Sequence, residues 1–268
     1  DLSTLDYSYT KISATIPTEV AGLTKLSQLR FTSSRMSGTL PSWLGKLTKL
    51  MYLDASQTRQ ISGFLPTQLG KITSLYDLNL GYNKLSGTLP AQIGKLTTGG
   101  TLQLKVPYNY KLSGTIPTEI YKLKSNLYYF DITYNKFSGT LSPGLGKLTR
   151  VYQIKLDYNS LSGVIPNSIG KMRSLYYLYG SNTRISGTVP TEIGELTSAY
   201  TLSLEETSSA HISGTIPTEM GKLTRLTTFS HVMEKLSGTM PSQIGLLSSS
   251  AFSSFKPQST RVSGYIPS

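Results

Sequence analysis

The stretch Leu75-Tyr76-Asp77-Leu78-Asn79-Leu80-Gly81-Tyr82-Asn83-Lys84-Leu85-Ser86-Gly87-Thr88-Leu89-Pro90 decides the fold. Leu78 and Leu80 alternate with polar residues, the pattern of a strand with one buried face. A turn follows, and Leu85 re-enters the core ahead of a Ser-Gly pair. Gly87 permits backbone angles closed to other residues, and Pro90 fixes φ and ends the second extended piece. Beyond the proline come Ile93, Gly94, Lys95 and Leu96, enough for one tight helical turn back to the next strand.

Working outward, the same unit recurs along the chain. Its proline corner stands at Pro17, Pro41, Pro66, Pro90, Pro117, Pro166, Pro190, Pro217, Pro241 and Pro267, with Ser142 filling the slot once, at spacings of 24 to 27 residues. Ser-Gly precedes every corner but the first, which has Ser13-Ala14. One such coil cannot bury its apolar face alone, whereas stacked coils share a core. The pattern therefore predicts a single domain over residues 1–268, made of about eleven coils and, at ~4.8 Å per stacked strand, ~50 Å long. Neither end carries a polar capping element, so the expectation is missing flanks or ends covered by a partner, another copy included.

The motif L-x-x-L-x-L-x-x-N-x-L-S-G-x-I-P-x-x-I-G resembles the plant-type leucine-rich repeat of polygalacturonase-inhibiting proteins and receptor-kinase ectodomains, over essentially the whole chain. That resemblance implies an α/β solenoid: a right-handed curved superhelix, strand-rich, with a parallel β-sheet on its concave face and short 3-10 or helical returns. It also implies an extracellular or cell-surface module that binds a ligand and does not catalyse. The sequence departs from the family in places. The family's loop-bonding Asn stands at Asn83, Asn135 and Asn159, while Thr10, Ser34, Thr183, Ala210, Glu234 and Thr260 fill the slot elsewhere. The cysteine-paired caps are absent, and His231 and Pro257 occupy slots meant for a buried Leu, so the last coils should be less regular.

Composition agrees. Charged residues are 15% and cysteines zero, which excludes disulfides, cysteine zinc sites and thiol catalysis. No run of 18 apolar residues exists to span a membrane, and no Asn-x-Ser/Thr sequon occurs. The two histidines, His211 and His231, are not paired with a repeating nucleophile, so the expectation is no enzyme, no metal and no cofactor. Glycines recur once per coil, a structural pattern distinct from a phosphate-cradling loop.

The net charge of +12 sits in two ladders. One lies five residues after the corner (Lys46, Lys71, Lys95, Lys122, Lys147, Lys171, Lys222) and the other precedes the Leu-Ser-Gly slot (Lys11, Arg35, Lys84, Lys111, Lys136, Arg184, Lys235, Arg261). They suit solvated edges or an anionic, repeating polymer. No nucleic-acid module accompanies them, which argues against that partner. Candidate ligand residues are the polar and aromatic positions of the strands. Tyr52, Asp77, Tyr129, Gln153 and Tyr177 fill one column; Asp54, Asn79, Asp131, Lys155 and Tyr179 fill the next; Tyr82, Tyr134 and Tyr158 lie just beyond. The densest set is Tyr129, Asp131, Tyr134, Gln153, Lys155, Asp157, Tyr158, Tyr177 and Tyr179, which offers flat apolar area and hydrogen bonds to a polysaccharide or a protein. Two alternatives stand beside recognition: a structural subunit of a larger extracellular assembly or filament, and an ice-binding solenoid. The second rests on the Thr column after Ser-Gly (Thr39, Thr88, Thr115, Thr140, Thr188, Thr215, Thr239).

Overall fold

A computed structural model describes residues 2–97, 99–204, 212–230, 235–247 and 261–263. The chain divides into two compact units, Asp1–Phe137 and Ser138–Ser268. His211, His231, Pro257, Ala210, Glu234 and Thr260 lie outside the described residues.

Among the described residues the coils follow the plan of the quoted stretch. Asp77–Asn79 and Lys84–Gly87 are strands, and Ala91–Lys95 is a 3-10 turn. Leu75, Leu78, Leu80, Leu85, Leu89, Ile93 and Leu96 all point inward, none more than 3% exposed. Pro90 stands before the turn with φ −70°, and the Leu96 N–H donates to the Ile93 carbonyl, closing it. At these short lengths propensity decides little; the buried leucines hold the coil against its neighbours.

In the first unit the strands Thr4–Asp6, Gln28–Arg30, Tyr52–Asp54, Asp77–Asn79, Leu102–Lys105 and Leu127–Asp131 form a parallel principal sheet. Equivalent residues pair directly: Leu29, Leu53, Leu78, Leu104 and Phe130 line one buried row, each 2% exposed or less. In the second unit Gln153–Lys155, Tyr177–Tyr179, Thr201–Ser203 and Thr228–Ser230 pair in the same way.

The second sheet of each unit is built differently. Here Thr39 pairs with Ser62 and Ser62 with Lys84, a stagger of two residues per coil; Thr188, Ser213 and Lys235 repeat it in the second unit. With ~4.8 Å between strands and ~3.3 Å per residue along them, equivalent residues on this face are about 8 Å apart. The columns read in the sequence as ranks of Thr and of Lys are therefore oblique. Across the strands the rows run Thr, Ser, Lys. Like charges are not directly opposed, which lowers the repulsion within the basic column.

The glycine four residues after the corner has a steric cause. A Cβ on Gly94 would stand 2.2 Å from the Glu119 carbonyl oxygen of the next coil, and one on Gly146 would stand 2.4 Å from that of Ser168. Successive 3-10 turns stack too closely for a side chain. Where Tyr121 replaces this glycine the turn lengthens to Thr118–Leu123, and the ring is buried.

Candidate functional site

Before the solvent-facing residues can present anything, the turn beside them must be fixed. In the first unit an asparagine ladder does this. The Asn83 Nδ2 donates to the carbonyls of Ala55 (2.8 Å), Leu80 and Gly81, and its Oδ1 accepts from the Ile61 N–H. Asn135 repeats this through Val106 (2.9 Å), Ile132 and Thr133. Between them stands Asn109, fully buried, donating to Leu80, Val106 and Pro107 and accepting from Leu85 N–H at 3.0 Å. The sequence reading missed Asn109 because Tyr110 is inserted after it, moving the amide three places ahead of Leu112 where Asn83 is two ahead of Leu85. The 27-residue spacing of that coil was the available signal. In the second unit Asn159 bonds Leu156 and Asp157, and the Thr183 hydroxyl makes one such bond, to Gly180 at 2.8 Å.

Next to the asparagine slot the backbone is left-handed: Tyr9, Ser33, Gln57, Tyr82, Tyr108, Tyr134, Tyr158 and Asn182 all have φ between 53° and 59°. Tyr82, Tyr108 and Tyr134 stack, with centroids 4.2 and 4.4 Å apart and planes within 17°. Tyr110 meets Tyr108 edge-on. Burial, helped by the Tyr82 hydroxyl, pushes the Tyr108 phenol above its ordinary pKa. Tyr108 escaped the sequence reading for the same reason as Asn109. The stack also changes what this column offers, because ring faces pack on one another and leave edges and hydroxyls outward.

On the principal sheet of the first unit, Tyr129 is half-buried on the open face. Asp131, expected to face solvent, is instead only 8% exposed, and its Oδ1 accepts the Thr133 N–H at 3.0 Å; its carboxylate is committed to the turn. Asp54 does the same for Ser56. Lys105 Nζ stands 2.9 Å from Asp77, whose pKa burial raises and this lysine partly restores.

The second unit brings Gln153, Lys155, Tyr177 and Tyr179 onto one sheet face, with Lys155 over the Tyr179 ring at 5.7 Å. The Asp157 Oδ1 accepts from Ser181 N–H, and Tyr158 is 43% exposed at the turn. Three tyrosines missed in the sequence, at the entrance to the strands, enlarge the patch. Tyr152 lies 4.8 Å from Tyr176 and 5.4 Å from Tyr177, Tyr200 lies 6.4 Å from Tyr177, and Arg225 covers Tyr176. These rings are tilted by 33° to 71°, so their faces are not used up on each other. Of the basic ladder, Lys84, Lys111, Lys136 and Arg184 are all exposed. Among the described residues, no group of three or more His, Cys, Asp or Glu could hold a metal, and no helix is long and apolar enough to cross a membrane.

Paired parallel sheets with 3-10 returns have close counterparts among solved structures. The receptor for a plant peptide hormone, RGFR1 in complex with RGF2, matches at TM-score 0.83 and 31% identity over 92% of this chain and 38% of that one. The Leucine Rich Repeat family model matches residues 74–96 and 126–148. The chain is a plant-type leucine-rich-repeat protein. A second similar structure is the ectodomain of the Arabidopsis receptor kinase HAESA with an N-terminally extended IDA peptide hormone ligand (TM-score 0.74, 29% identity, 91% of this chain and 40% of that one). A third is a plant ice-binding protein (TM-score 0.63, 25% identity, 81% of this chain and 67% of that one). The leucine-rich-repeat chain thus spans about two fifths of the length of the two receptor chains. Among curated proteins none matches significantly.

Proposed function

We propose that this leucine-rich-repeat protein is an extracellular recognition module whose principal sheets bind an extended protein segment. The observation that carries the reading is the tilted tyrosine patch Tyr152, Tyr176, Tyr177 and Tyr200, bordered by Lys155 and Arg225. Tyrosine and arginine supply most of the energy at protein interfaces, because they bury large rigid area with few torsions to freeze. Gln153 and the strand hydroxyls add hydrogen bonds at ~4.8 Å intervals, a repeat that suits a polypeptide laid across the strands. The receptor structures similar to this chain hold peptide hormones, which supports a peptide over a polysaccharide. The protein acts by binding, without cofactor.

The outer Thr-Ser-Gly face supports a weaker reading, contact with ice. An ice-binding protein is among the similar folds, and Thr39, Thr88, Thr115 and Thr188 are exposed. Against it, the stagger interleaves lysines with the hydroxyls, and Phe64 and Val164 interrupt the column.

The test is binding to a peptide library displayed on an array, with Tyr177→Ala in the second unit and Tyr129→Ala in the first. Loss of a large interfacial aromatic is expected to weaken a selected peptide 10- to 100-fold, about 1.4–2.8 kcal/mol, with unchanged circular dichroism. Affinity unmoved by Tyr177→Ala would remove the patch from the interface.

A further inference from the structure

The first unit holds a feature that tyrosine-mediated peptide binding does not use. Asp6, Arg30 and Asp54 occupy equivalent places on three neighbouring strands, in direct register, so their side chains project from the same open face. They floor a hollow of about 410 Å³, together with Ser8, Tyr52 and Asp77. The Arg30 guanidinium lies over the Tyr52 ring at 5.4 Å and makes no hydrogen bond or ion pair with any described residue. Both flanking carboxylates are held in place: Asp6 Oδ1 accepts the Ser8 N–H at 2.8 Å, Asp54 Oδ1 accepts the Ser56 N–H at 2.9 Å, and Asp54 Oδ2 accepts from the Asn79 Nδ2 at 3.4 Å. Asp77 is neutralised by Lys105. A half-buried guanidinium with its donors unused, held by a ring from one side, is arranged to meet a carboxylate edge-on through two parallel bonds. The Asp6 carboxylate, one strand away, is then set to receive an ammonium, with Asp54 adding negative charge on the other side.

We propose that this hollow binds a free α-amino acid as its zwitterion, carboxylate on Arg30 and ammonium on Asp6. Ammonium and carboxylate of an α-amino acid are joined through one carbon, closer together than neighbouring strands at ~4.8 Å, so one molecule reaches both charges. Two aspartates against one arginine leave one negative charge over. A basic amino acid therefore fits better than an acidic one. The inference is independent of peptide recognition by the tyrosine patch, which lies in the other unit.

The experiment is isothermal titration calorimetry of the 268-residue chain with L-arginine, L-alanine, L-glutamate, N-acetyl-L-arginine and L-argininamide. Arginine should bind most tightly and glutamate least, and the acetylated and amidated forms, each lacking one charge, at least tenfold more weakly than arginine. Arg30→Gln should cost at least tenfold. Arg30→Lys, which keeps the charge but loses the fork, should fall between them. Tyr177→Ala should leave every one of these affinities unchanged. Equal binding of the blocked forms, indifference to both Arg30 variants, or no heat with any amino acid would each overturn the proposal. Because the ligand series uses the unaltered protein, it decides the matter even if a variant folds poorly.

Discussion

Asn109 shows at the residue scale why a single amide can hold a coil. Its Nδ2 reaches three carbonyls, one of them on the preceding coil, and its Oδ1 takes the Leu85 N–H, all fully out of water. Removing it strands several backbone groups in the core, and each unsatisfied group costs about 1–3 kcal/mol. Asn109→Ala is expected to destabilise the protein by about 3 kcal/mol in urea unfolding. Thr183→Ala, which loses one bond of this kind, should cost roughly a third of that. Equal losses would mean that the ladder's extra bonds contribute nothing. The tyrosines beside this slot pose the opposite problem, since a left-handed backbone suits Gly or Asn better than an aromatic. In the first unit the stacked rings offset that strain, a pair contributing about 0.5–1.5 kcal/mol beyond its buried area.

Among the elements, the staggered second sheet depends on one glycine in each coil. Gly114 has φ +80°, and a Cβ there would stand 2.8 Å from the Thr88 Cγ2 of the preceding coil; the same interlock joins Gly63 to Thr39. The methyl of each threonine fills the space the missing side chain leaves. Gly114→Ala therefore meets both strain and a clash, and should lower stability by about 1–3 kcal/mol. Adding Thr88→Ala should recover the steric part and leave the conformational part, a coupling that a double-mutant cycle in urea measures. Purely additive losses would show that the threonine methyl is not the obstacle.

For the whole molecule, charge decides the choice between a free recognition module and a subunit of an assembly. Copies carrying +12 repel one another, and salt at 0.15 M screens this only beyond about 8 Å. Light scattering is expected to give a constant mass of 29.3 kDa across a concentration series at that ionic strength. Growth with concentration would favour the structural-subunit alternative. How much of all this was legible beforehand follows from what repeats. The period, the inward leucines and the proline corner were written in the sequence, because each coil states the same apolar alternation and stacking buries it, while the parallel pairing was implied by the family resemblance. Asn83 and Asn135 could be recognised by their place in the motif, whereas Asn109 and Tyr108 were hidden by one inserted residue that shifts the motif and leaves the geometry intact. Tertiary structure alone decided which polar groups remain for a ligand. Asp131 and Asp157 looked available by alternation, yet a backbone N–H occupies one oxygen of each and Asp131 is also buried. Arg30 was not singled out by alternation, yet its guanidinium, stacked on Tyr52, makes no hydrogen bond or ion pair with any described residue. Register along a strand says which face a side chain takes; only the packed neighbouring coils determine whether its hydrogen bonds are already spent.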